Sequence, residues 1–159
     1  MATKTETKKE VKTKESTGEK RLAVICIRGN VDTPQKVIDT LHMLNLRRKN
    51  HCTIIPDTLV FKGMLNKVKD VVTWGEIDAE TFDEMVKVRG ELFSGRTTDF
   101  KQKYSYRMLD VKGKKYKNYF RLSPPRKGFE RKGIKVSFNA GGALGYRGSK
   151  INDLIKRML

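Results

Sequence analysis

No run of eighteen apolar residues occurs in this chain, and no apolar stretch near its start resembles a secretory leader. The expectation is a protein that neither spans a membrane nor is exported, with the cytoplasm as its default location. Cysteine is scarce: Cys26 sits inside the apolar run LAVICI and Cys52 in NHCTII, and neither belongs to a C-x-x-C pair of the kind that holds zinc. Both read as buried free thiols. Histidine is as rare, and neither His42 nor His51 stands beside a serine, cysteine or carboxylate that the sequence alone would join into a catalytic pair. His51 could instead stack on a base.

The glycine-rich NAGGALGYRGSK lacks the order of a phosphate loop, since Gly148 is followed by Ser149 before Lys150 and no glycine stands five positions ahead. It also lacks the G-x-G-x-x-G spacing, so no nucleotide cofactor is expected. The glycines read as places where the backbone comes close to something else. Glu76, Asp78, Glu80, Asp83 and Glu84 gather around one helix start, where capping and the helix dipole account for them without acid–base chemistry.

Acidic residues are in short supply: 18 Asp plus Glu against 35 Lys plus Arg leave +17 on 159 residues. Such a surplus repels itself unless an anionic partner neutralises it. It is also localised, for Lys101 to Lys135 carry thirteen basic residues against two acidic ones. Here lysine and arginine interleave with Tyr104, Tyr106, Tyr116 and Tyr119, the mixture in which cations follow phosphates while rings stack on bases. A membrane-surface helix needs an apolar stripe that Gly113, Pro124 and Pro125 interrupt.

The rest of the chain alternates between element types. Met1–Lys20 is Lys, Glu and Thr with few aliphatic residues and reads as a flexible tail. RLAVICI has the length and continuity of a central strand. Thr33 as cap and Pro34 as first helical residue then open a helix that aligns Val37, Ile38, Leu41 and Leu44. After the basic loop LRRKNH comes the strand CTIIP, then a helix capped by Thr58 with Phe61, Met64, Leu65, Val68 and Val72 on one face. VTWGEI supplies a third strand, and Asp78 starts a helix with Phe82, Met85, Val86 and Leu92 inward. Ile134, Val136 and Phe138 alternate as in an exposed strand, and a closing helix from Ser149 aligns Ile151, Leu154, Ile155 and Met158. The fold class expected is α+β of the ferredoxin-like kind. The divisions are a tail (1–20), a core (21–92) expected to fold autonomously, and a basic extension (93–159).

Within the extension, RLSPPRKGFERKG, Arg121 to Gly133, reads as a strap for phosphates. Its prolines favour an extended backbone, and Arg121, Arg126, Lys127, Arg131 and Lys132 line it with cations.

The stretch from RGNVDTPQKVIDTLHMLNLRRKNHCTIIPDTLVFKG to VTWGEI, with FRLSPPRKGF, GGALGYRG and INDLIKRML, resembles the large-subunit ribosomal protein L-thirty family in its longer archaeal and eukaryotic branch. The short N-terminal tail favours the archaeal side. The resemblance covers most of Arg21–Arg89 and Phe120–Leu159, leaves 96–118 to charge alone, and departs at Asn139 and Ala140, where an acidic residue is expected. It implies a three-stranded antiparallel sheet with packed helices, and a cytoplasmic, ribosomal, non-enzymatic protein without cofactor, metal, membrane or small-molecule substrate. Its partners would be large-subunit ribosomal RNA and neighbouring ribosomal proteins. The RNA-facing residues it suggests are Arg28 and Asn30 after the first strand, Arg47, Arg48, Lys49 and Asn50 in the loop, Lys62, Gly63 and Lys67 on the second helix, the strap, and Tyr146 and Arg147. The alternatives are an RNA-processing or modifying enzyme on the same sheet, and a general nucleic-acid binder.

Overall fold

The computed structural model describes residues 21–159, so the tail expected over 1–20 lies outside the described residues. Strand β1 (Arg21–Cys26) is buried from Leu22 to Cys26. From Leu22 on it is apolar because it lies at the sheet centre with both faces covered. It pairs antiparallel with β2 (His51–Pro56) on one side and β3 (Val72–Glu76) on the other, with Ile25 opposite Cys52 and Cys26 opposite Val72. Alternation along β1 then feeds two cores. Leu22, Val24 and Cys26 face a cluster with Leu41, Leu44, Leu65 and Val68 from α1 (Gln35–Met43) and α2 (Leu59–Val68). Ala23 and Ile25 face the other cluster, built with Phe82, Met85 and Val86 of α3 (Ala79–Arg89) and Ile151, Leu154, Ile155 and Met158 of α4 (Ile151–Met158).

The expected three-stranded antiparallel sheet is therefore present as β2-β1-β3, and the extension widens it. Within the extension a separate hairpin forms from β4 (Leu109–Val111) and β5 (Lys114–Tyr116), turning through Lys112 and Gly113, both at positive φ as a two-residue hairpin turn requires. β6 (Phe120–Arg121) then adds to the free edge of β2, and β7 (Gly145–Tyr146) adds parallel to β3. The sheet order is β6-β2-β1-β3-β7. Strands of two residues carry almost no periodic signal, so β6 and β7 are not legible in the sequence.

Four local expectations are corrected. Thr33 does not cap α1: Pro34 is the cap residue, and the Thr33 hydroxyl donates to the Val31 carbonyl. Val72 belongs to β3 rather than to α2. Leu92 is 64% exposed, because Gly90 leaves the helix in an extended conformation and ends the helical period two residues earlier. Ile134–Phe138 forms no strand. The chain doubles back there, with the Val136 carbonyl accepting from Ala143 and Leu144 N–H while Ile134 packs against Ile27, Ala143 and Leu144. A Cβ on Gly142 would stand 2.1 Å from the Val136 oxygen, so the close approach expected of these glycines is an approach to the chain itself. Thr58 does cap α2, accepting from the Phe61 N–H.

Phe120 is 1% exposed and packs into the α3/α4 cluster, so β6 contributes to the core as well as to the sheet edge. Phe120→Ala should lower the unfolding free energy by about 3–5 kcal/mol in urea titration. A midpoint unchanged from wild type would mean that β6 is peripheral.

Candidate nucleic-acid interface

The basic loop is held by backbone geometry at both ends. α1 closes with Asn45 in the left-handed region (φ 60), its N–H donating to the His42 carbonyl, while Leu46 N–H reaches back to the Leu41 carbonyl. This is the two-bond C-terminal motif in which asparagine replaces the usual glycine, and the buried Leu41 and Leu46 give it its apolar lock. Asn50, also left-handed (φ 64), donates its N–H to the Cys26 carbonyl and accepts from Leu122 N–H. Between these two fixed points Arg47, Arg48 and Lys49 are all exposed.

The strand registers show which cations share that location. Since Cys26 pairs with Val72 and Ile25 with Cys52, the end of β1 and the starts of β2 and β3 lie at one end of the sheet. Arg28 follows β1 there, exposed, with Nη1 donating to the Asp70 carbonyl, and half-buried Asn30 accepts the Thr33 N–H in the same turn. Lys67 sits in the last turn of α2, just before β3. Arg121 lies opposite His51 in the β6–β2 ladder.

The strap begins at the same end. Ser123 and Arg126 N–H donate to the Met158 and Arg157 carbonyls, the last turn of α4, and satisfy acceptors that a helix end leaves open. The expected extended path holds only to Pro125. Turns then close between Pro125 and Gly128 and between Glu130 and Gly133, with Lys127, Gly128 and Gly133 at positive φ. These turns leave Arg126, Lys127, Arg131 and Lys132 exposed. Among the described residues, Arg47, Arg48, Lys49, Lys67 and these four strap cations have no acidic partner, whereas Lys62, Lys112, Lys117, Arg121, Arg147 and Arg157 all do.

Several expected contacts lie elsewhere. Lys62 is 2.8 Å from Asp57, beyond the other end of β2, in a cleft with Glu76 and Tyr146. Gly63 is exposed within α2, with nothing inside 4 Å of where a Cβ would stand. Tyr146 is half-exposed, and its hydroxyl donates to the Glu76 carboxylate at 2.6 Å, which holds the phenol proton more tightly than usual. Arg147 is corrected outright: it is 4% exposed, and its guanidinium donates to the Thr73 hydroxyl, the Glu130 carboxylate and the Ala143 carbonyl. Burial pushes its pKa down against the opposing pull of Glu130. It ties the glycine-rich turn to β3 and cannot present its charge to a partner.

The structure also joins residues that the sequence left separate. His51 and Tyr119 stack with centroids 5.2 Å apart and planes 11° from parallel. Arg121 bridges them to Glu91, at 3.2 Å from Nε, and Lys117 completes that carboxylate's pairing at 2.6 Å, which holds the Glu91 carboxyl below its usual range. Partial burial, then Arg121 and Arg48, lower the His51 pKa and keep its ring neutral. The β6–β2 register that makes the stack had no trace in the sequence beyond the aromatic at 119. The two cysteines are buried thiols as expected, pushed up to about 11 for Cys26 and about 12 for Cys52. Among the described residues no three His, Cys, Asp or Glu side chains converge in a way that could hold a metal ion.

Residues 22–72 match the family described as Ribosomal protein L30p/L7e. Over 151 residues the chain is 42% identical to the large ribosomal subunit protein uL30 of Methanococcus maripaludis, covering 86% of this chain and 98% of that one. It is equally similar to the protein of that name from Nanoarchaeum equitans, at 42% over 86% and 97%. For that from Pyrobaculum islandicum the identity is 38%, over 94% and 99%.

Two arginines separate structural from surface work. Arg147→Ala should cost about 2–4 kcal/mol, because Thr73 and the Ala143 carbonyl lose buried partners and Glu130 loses its nearest cation. Arg48→Ala should stay within about 0.5 kcal/mol of wild type while weakening RNA binding. Paired measurements of denaturant midpoint and RNA affinity check both, and the opposite pattern in either variant would reverse its role.

Proposed function

The chain belongs to the ribosomal protein L30p/L7e family, and we propose from that premise that its gathered cations act as one face that neutralises and clamps folded large-subunit ribosomal RNA. It is a structural constituent of the large ribosomal subunit, in the longer form of the family shared with its archaeal relatives, and works in the cytoplasmic ribosome. The family is ribosomal rather than enzymatic. That this chain itself performs no catalytic step, and that neighbouring ribosomal proteins touch it, are parts of the proposal.

The observation that carries the reading is the convergence at one sheet end. The turn after β1, the 45–50 loop, the end of α2, β6 and the strap are far apart in sequence, yet they deliver Arg28, Arg47, Arg48, Lys49, Lys67, Arg121, Arg126, Lys127, Arg131 and Lys132 together. Apart from Arg121, which is paired with Glu91, these exposed cations have no acidic partner among the described residues and contribute little to folding, so their gathering is accounted for by an anionic partner. Phosphate contacts of this kind follow the shape of a folded RNA and carry little sequence information by themselves. Asn30 and Asn50 accompany that face as backbone anchors, while Lys62, Gly63 and Tyr146 stand outside it.

The division at residue 92 is proposed for charge and RNA contact only. Packing runs across it, because Phe120, Leu122 and α4 fill one face of the sheet.

Replacing Arg126, Lys127, Arg131 and Lys132 with alanine should weaken binding to large-subunit RNA. The log–log salt slope should fall by about three, at roughly 0.7–0.9 per lost phosphate contact. A slope equal to wild type would remove the strap from the interface.

A further inference from the structure

A cleft of about 380 Å³ opens between the 45–51 loop and β6, lined by Asn45, Arg47, Arg48, His51, Tyr119 and Arg121. Its composition differs from that of a surface that only follows phosphates. Three guanidinium groups rim it, two stacked rings form part of its wall, and the Asn45 amide adds a group able to donate and accept. Near-parallel rings with centroids 5.2 Å apart must be slipped sideways, which leaves part of each face uncovered. We propose that this cleft seats a single unpaired nucleotide extruded from the bound RNA, its base against the His51–Tyr119 pair and its flanking phosphates on Arg47, Arg48 and Arg121. The inference rests on the RNA-face reading above and adds a base-binding subsite to it.

Three physical points favour an extruded base over other occupants. A paired base is buried in its helix and cannot enter a concave site, whereas an unpaired one exposes its face for stacking on an aromatic side chain. The His51 ring is kept neutral by partial burial and by Arg121 and Arg48, so it can stack without adding charge beside three guanidinium groups. The strand on either side of the extruded nucleotide also has somewhere to go. A second cleft of about 580 Å³ shares Asn45 and Tyr119 with the first and continues along Phe93, Arg96, Tyr106, Arg107 and Lys117. This gives a place to Tyr106, Arg107 and Lys117, which the phosphate face leaves unused.

The test uses the full chain and three probes: an RNA duplex of about 16 base pairs, the same duplex with one bulged 2-aminopurine nucleotide, and free adenosine monophosphate. Wild type should bind the bulged duplex about tenfold tighter than the perfect one, quench the 2-aminopurine, and bind the mononucleotide far more weakly than either. Tyr119→Leu should bring the bulged duplex down to the affinity of the perfect one and abolish the quench. Tyr119→Phe, which keeps the ring and loses only the hydroxyl, should keep both. Equal binding of the two duplexes by wild type, an unquenched probe, a bulge preference that survives Tyr119→Leu, or mononucleotide binding as tight as the bulged RNA would each overturn the subsite. The wild-type measurements decide even where a variant folds poorly. Absence of binding to either duplex would instead overturn the RNA-face reading on which the subsite rests.

Discussion

The pairing of Phe120 and Arg121 with Cys52 and His51 is the contact on which the rest of the molecule depends. Successive residues of a strand point to opposite faces, so one two-residue strand does two jobs. Phe120 goes inward and joins the α3/α4 core, while Arg121 goes outward beside the basic loop. Without this register the strap would have no fixed start and Tyr119 would not meet His51. The Asn50 carbonyl would also lose the Leu122 N–H that ties the loop to the extension. The far end of the extension is fixed separately, by the parallel addition of β7 to β3 and by the four apolar residues that α4 buries.

Charge is sorted by the same architecture. Four of the acids pair with particular cations: Glu130 holds Arg147 and Arg157, Glu91 holds Lys117 and Arg121, and Asp57 and Asp83 hold Lys62 and Lys112. Most of these pairs are partly exposed and contribute little individually. Their consequence is positional, since each fixes the place of a charged side chain. Arg121 alone belongs to both groups, paired with Glu91 and lying on the rim of the cleft. Among the described residues, the unpaired cations of the 45–50 loop, the end of α2 and the strap belong to the sheet end where β1 finishes and β2 and β3 begin, while others, such as Arg21 at the start of β1 and Lys114 and Lys115 on the hairpin, are unpaired elsewhere.

Much of this could be read from the residues. The apolar run of β1, the Thr58 cap, and the face of α4 with Ile151, Leu154, Ile155 and Met158 were legible because each carries a full period of its element or a fixed capping rule. The exposed loop cations were legible because three consecutive basic residues cannot all be buried. The failures have equally specific causes. Arg147 reads like its neighbours in sequence, and only the fold reveals that its guanidinium is enclosed by Thr73 and Ala143. Lys62 is expected from the resemblance to face RNA together with the loop, but β2 carries the chain to the opposite end of the sheet before α2 begins. Ile134–Phe138 alternates as a strand does, yet a tight backbone return supplies its hydrogen bonds instead of a ladder. The His51–Tyr119 stack depends on a register between segments nearly seventy residues apart, and no local pattern encodes that.

Lysine acetylation footprinting of the chain, free and bound to large-subunit ribosomal RNA, tests most directly whether these cations form a single face. The account predicts that RNA protects Lys49, Lys67, Lys127 and Lys132 together, while Lys62 and Lys112, each held by its own aspartate, react alike in both states. Protection spread evenly over all six would contradict it, because binding would then follow total charge rather than the arrangement that the sheet imposes.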